Sequence, residues 1–337
     1  MIDIKRGRYV ESVARKWLDW LHDYFLTVYT GKKRPWMDTT AGRRPFDCYA
    51  DKLYFQLESI IREYARGQHA IENWGLALLR LCWIHFDDII LASPAQLEIW
   101  VNGIKMRRRQ PKQLIEMIKG VMVPYYETIA SLHGHDLVNA LDIKTCPYCN
   151  RQFIQSFEAL RAERPELDHF YPKASYPMFC LSFFNLIPAC HSCNHVKLEN
   201  EIGVNPYSRA FNSRFVIIDK KSGGKLSPSK IYKLTKKQIA VKLDGKSVEE
   251  ALNSRVLGLE IVYNKHTDYV SELIDKSMAY DAHARQALIN SFQGAGYHPR
   301  QVYDFVWGKH LMDAEYEDRP LSKLTKDILD LLGIRRG

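Results

Sequence analysis

Two Cys-x-x-Cys pairs, Cys146/Cys149 and Cys190/Cys193, stand with 40 residues between them in a chain of 337. Each pair makes a tight knuckle that turns both sulfurs toward one point, so the two together supply four thiolates to one tetrahedral zinc ion. A thioredoxin-type redox pair is the competing reading. It needs one motif at a helix start after a strand, and it leaves the second motif without a role. The span between the knuckles exceeds the loop of about 15–20 residues usual in zinc ribbons, so something has been built inside the clip. Of the other cysteines, Cys48, Cys82 and Cys180 sit singly in apolar or mixed surroundings, where a thiol packs as a small hydrophobe.

The cysteine reading depends on the compartment, because a reducing cytosol disfavours structural disulfides. No apolar run approaches the roughly 18 residues of a membrane span, and the N-terminal stretch has basic residues but no apolar core or small-residue cleavage site. A cytoplasmic protein is expected. With 46% hydrophobic and 26% charged residues the chain can bury real cores and does not read as disordered. The formal net charge of +9 suits a polyanionic partner, and Lys and Arg concentrate in residues 105–112 and 220–246.

The first 140 residues read as helical. In "YVESVARKWLDWLHDYFLTVY", Val10, Val13, Trp17, Leu21, Tyr24 and Val28 form one stripe. Similar spacing recurs in "KLYFQLESIIREYA", "WGLALLRLCWIHF" and "QLIEMIKGVMVPYYETIASL", and a turn-rich basic loop follows the first helix over residues 30–46. Ser93 followed by Pro94 reads as an N-cap with proline at the first helical position. After Lys144 the pattern changes to short apolar runs between turn residues, which places a boundary near residue 141. "RFVIID" and "KQIAVKL" read as strands around a lysine-rich loop, and helix returns from Ser247 to the end. The expected class is α+β and predominantly helical, with a helical region at 1–140, a zinc-supported module at 141–209, and basic strands with a helical C-terminal region at 210–337.

Inside the clip lie "LDHFYPKASYP" and "FFNLIPACHSCNHVK". Here the chain resembles the HNH endonucleases, the zinc-supported members of the ββα-metal (His-Me finger) family. In that family an Asp-His pair ends the first strand, Asn-Leu follows the hairpin, and Cys-x-x-Cys leads into a helix carrying His or Asn and then Lys three positions later. The matching residues are Asp168-His169, Asn185-Leu186, Cys190 and Cys193, Asn194 and Lys197. The resemblance implies a ββα-metal nuclease in which Asn185 ties the hairpin and orients the base strand.

The chemistry of those residues agrees. Phosphodiester hydrolysis needs an activated water and a cation on the transition-state charge, and a neutral imidazole can take the water's proton, which makes His169 the general base. Asp168 and Asn194 offer hard oxygens suited to Mg²⁺ or Mn²⁺, beside a structural Zn²⁺ on the four cysteines. His195 replaces Asn194 as ligand if the register slips by one, and His191, inside the second knuckle, competes with a cysteine. Lys197 reads as a phosphate contact or as a solvated helix lysine, and Lys233, Lys236 and Lys237 as backbone-tracking cations on the basic segment. The alternative function is a zinc finger that binds nucleic acid without cutting it.

A closer similarity, covering roughly residues 141–337, is to the PtuB nuclease family of Septu-type and retron-associated anti-phage systems. It implies an ABC-type, PtuA-like ATPase partner and a nucleic-acid substrate, with DNA preferred. No P-loop occurs in the chain itself. Trp17, Trp20, Tyr263, Tyr303 and Trp307 are candidate aromatic anchors for that partner.

Overall fold

The computed structural model describes residues 2–4, 8–30, 58–59, 61–63, 75, 86–106, 112–157, 164–235, 237–308 and 310–334. The basic loop over 30–46, most of the two helical segments expected between 51 and 86, Cys48, Cys82 and Lys236 lie outside these residues. Among the described residues the protein is mostly helical with two small antiparallel sheets, the class expected.

The chain forms two compact units. One draws on residues 5–142 and 155–201, the other on 1–4, 143–154 and 202–337. One change of unit falls between residues 142 and 143, near the boundary expected at 141, and neither unit is a single continuous stretch of chain. The first knuckle belongs with the C-terminal half and the Asp-His hairpin with the N-terminal helices.

In the first unit, α1 (Arg8–Thr30) buries the expected stripe at Val10, Val13, Trp17 and Leu21 and packs on α4 (Lys112–Leu141). Trp17 donates its indole N–H to Leu181 O at 2.8 Å, and Trp20 stacks on His133 with centroids 4.8 Å apart. Between these helices lie α2 (Phe86–Ile90) and α3 (Pro94–Met106). Ser93 caps α3 as expected: Gln96 N donates to Ser93 Oγ, and Gln96 Oε1 accepts from Ser93 N at 2.8 Å. Then come β1 (Glu166–His169), antiparallel to β2 (Leu186–Ala189), and the short α5 (His191–Lys197).

In the second unit, β3 (Arg214–Asp219) and β4 (Ile239–Asp244) pair antiparallel, with the single turn α6 (Pro228–Ile231) in their connection. Phe215, Ile217, Ile239, Val241 and Leu243 alternate onto the buried face. The helices α7 (Val248–Val256), α8 (Leu259–Tyr263), α9 (Thr267–Ala279), α10 (Ala282–Gly294), α11 (Pro299–Trp307) and α12 (Ser322–Leu331) follow. α12 covers β3, where Asp327 accepts the Phe215 amide at 2.9 Å.

Asn150 explains why the first knuckle sorts with the C-terminal half. It sits at a left-handed φ of 49°, a conformation asparagine tolerates better than most residues. Its fully buried amide donates to Thr145 Oγ1, Tyr316 O and Arg319 O and accepts from Lys323 N. Its own carbonyl accepts the Leu321 amide at 2.6 Å. Asn150→Ala would strand several of these buried groups, so a loss of about 3 kcal/mol is expected. A chemical-denaturation midpoint unchanged from wild type would refute this.

Candidate catalytic cleft and metal centre

β1 sets the site. Glu166 and Asp168, two positions apart, project from the same face of the strand, and His169 is its last residue. The loop that follows is held by Asn185, which is completely buried. Its Oδ1 accepts Tyr171 N at 2.7 Å, and its Nδ2 donates to Tyr171 O at 3.2 Å and Phe179 O at 3.0 Å. Its backbone carbonyl accepts Phe170 N at 2.9 Å. One amide thus fixes the backbone immediately after His169.

His169 is 6% exposed, and its Nε2 lies 3.0 Å from Cys180 O. A carbonyl only accepts, so the proton sits on Nε2 and the lone pair on Nδ1. The edge-on ring of Tyr126 packs against the imidazole at 4.5 Å between centroids. Burial pulls the imidazole pKa down to about 3; the Cys180 hydrogen bond opposes this, while Lys173 and Lys197 add to it. His169 is therefore neutral throughout the physiological range. The Cys180 thiol, pushed up to about 12 by burial, is the packing thiol expected.

Asp168, His169 and Asn194 line one cleft of about 340 Å³ together with Glu166, Tyr126, Lys119, Arg164 and Lys173. Burial raises the Glu166 pKa, but hydrogen bonds from His191 and Asn194 outweigh it and hold the carboxyl below its usual value. Asn194 Nδ2 points at Glu166. The oxygens of Glu166, Asp168 and Asn194 make a hard donor set of the kind Mg²⁺ or Mn²⁺ takes. Against this, Lys197 Nζ lies 3.2 and 3.1 Å from the two Asp168 oxygens, so a cation would meet Asp168 on the side away from the ammonium.

Lys197 is the clearest departure from expectation. It is neither a solvated lysine nor a phosphate contact: it is completely buried, with Nζ 2.7 Å from His169 O as well as beside Asp168. Its helix is a short element of seven residues packed on β1, and the long side chain runs inward. Asn194 lines the cleft, while His195 is exposed. His191 Nδ1 faces Glu166 at 2.7 Å. Lys233 and Lys237 are exposed on the other unit. Among the proposed anchors, Trp17, Tyr263, Tyr303 and Trp307 are core residues, and Trp20 is half-buried.

Sequence reading missed Glu166, Lys119, Tyr126, Arg164 and Lys173. Glu166 was legible, because the period of a strand puts it beside Asp168. Lys119 and Tyr126 were not, because they come from α4, whose packing on the hairpin no local pattern announces.

The four cysteines are all buried, and their sulfurs lie within 4.8 Å of one another. Four thiols at that spacing are a donor set that could hold a metal ion such as zinc, and softer than any Mg²⁺ site. Among the described residues no helix is long and apolar enough to cross a membrane.

Comparison of the chain with known protein families, with curated proteins and with solved structures gives no match.

One zinc ion per chain is expected by elemental analysis, and chelation should lower the melting temperature. A Cys193→Ser protein with full zinc and wild-type melting would count against the site. A second expectation concerns pH. Between about 3 and 6.5 the unfolded chain protonates at His169 while the folded chain does not, so this residue's contribution to stability is lost as pH falls through that window. His169→Gln should lose less stability than wild type between pH values above and within the window; equal losses would refute it.

Proposed function

We propose that the protein is a metal-dependent endonuclease that hydrolyses phosphodiester bonds, with DNA the preferred substrate. The observation that carries this reading is a neutral histidine, locked by a backbone carbonyl, in the same cleft as the carboxylates of Glu166, Asp168 and Glu199 and the Asn194 amide. The antiparallel pair β1–β2 followed by α5 supports the ββα-metal resemblance.

His169 Nδ1 accepts a proton from water as the water oxygen bonds to phosphorus. The bond from phosphorus to the leaving oxygen then breaks, and that oxygen is protonated from solvent. The Cys180 carbonyl keeps the tautomer that leaves the lone pair on Nδ1. Asn185 holds the turn after β1, so it acts by positioning and does not touch substrate. A divalent cation held by Asp168 and Asn194 would supply the charge that the phosphoryl transition state needs. Lys197 pairs with the Asp168 carboxylate and aims it although both are buried. Glu166 orients the Asn194 amide.

The resemblance to Septu-type effectors adds the proposal that the nuclease serves anti-phage defence beside an ABC-type ATPase. The burial of Trp17, Tyr263, Tyr303 and Trp307 removes them as contacts for such a partner.

His169→Ala should keep the fold and the zinc content while cleavage of DNA or RNA in Mg²⁺ or Mn²⁺ falls by about 10²-fold or more, the range of a lost general base. Wild-type cutting by the purified variant would overturn the assignment. Running single- and double-stranded DNA and RNA side by side decides the substrate.

A further inference from the structure

Position 134 is a glycine inside α4, although only proline is a poorer helix former. A Cβ built there would lie 2.9 Å from Arg164 Nε and 3.0 Å from its Cζ. The missing side chain is the seat of that guanidinium. By contrast, Gly120 on the same helix has open space around it. Arg164 donates to Pro165 O at 3.2 Å, and among the described residues it has no carboxylate partner. Its side chain nonetheless lines the cleft that holds His169. Lys119, also from α4, lines the same cleft, and among the described residues its ion pair is with the exposed Glu116 at 3.3 Å, a pairing that water competes with easily.

A guanidinium with no carboxylate partner among the described residues, packed into the space a glycine leaves, is a recognition group for an anion, because its planar fork matches two phosphate oxygens at once. We propose that Arg164, seated over Gly134, and Lys119 grip the phosphodiester backbone of a nucleic-acid strand along the α4 side of the cleft. This rests on the nuclease reading above and deepens it: the N-terminal helical region, outside the HNH resemblance, becomes part of the substrate-binding surface. The contacts fix the strand's position without choosing its sequence.

The test uses the full chain carrying His169→Ala, so that binding is measured without cutting, and a fluorescein-labelled oligonucleotide read by anisotropy across a salt series. Arg164→Gln and Lys119→Gln should each weaken binding about tenfold, the range of one charged hydrogen bond, and should flatten the slope of log K against log salt by about one. Gly134→Ala changes no charge and favours the helix, yet it should weaken binding by displacing the guanidinium. Added to Arg164→Gln it should cost nothing further. If all three variants bind as the parent does with the same salt slope, the inference is wrong, and it is wrong alone if the chain with His169 intact still cuts. A chain that neither binds nor cuts sinks both this inference and the nuclease reading.

Discussion

A lysine ammonium completely removed from water has to be paired, because an unpaired buried charge costs more than most domains have in reserve. Lys197 meets that requirement with the Asp168 carboxylate and the His169 carbonyl, and in doing so ties α5 to the last two residues of β1. The position of the whole hairpin follows. Asp168 is aimed, the backbone at His169 is held, and Asn194, one turn before Lys197 on α5, is brought to the cleft. Breaking the pair from either side would leave the other charge buried alone, so neither residue is free to vary independently.

The same economy governs His169. Its imidazole is buried against Tyr126 and bonded at one nitrogen only, and desolvation outweighs that bond, so the ring stays neutral. Three carboxylates and an amide share the cleft with it, and Lys119, Arg164 and Lys173 add positive charge. Asn185 contributes nothing to that charge pattern and everything to its geometry, since its four bonds hold the turn that carries His169.

Local pattern was a sound guide wherever the chain's neighbours in space were also its neighbours in sequence. The stripe of α1, the Ser93 cap, the alternation of β3 and β4 and the spacing of the Cys-x-x-Cys knuckles are short-range signals, and each appears in the structure where the sequence placed it. Lys197 shows the limit. Three residues after Asn194 on a helix, it looks like a surface lysine, and only the packing of that helix on β1 turns it inward.

The amino-acid sequence by itself determined the two Cys-x-x-Cys knuckles and the predominantly helical class, because knuckle spacing and helix period are properties of a few consecutive residues, while the strand end at Asp168-His169 was implied by the family resemblance. Tertiary structure alone decided how the segment between the knuckles is divided: residues 143–154 go with the C-terminal half through Asn150, and 155–201 with the N-terminal helices. It alone brought Lys119 and Arg164 to the cleft and set the Arg164 guanidinium against Gly134. Each of these depends on contacts between residues far apart in the chain, formed when buried polar groups must find partners and side chains must find space. No window of sequence contains both halves of such a contact.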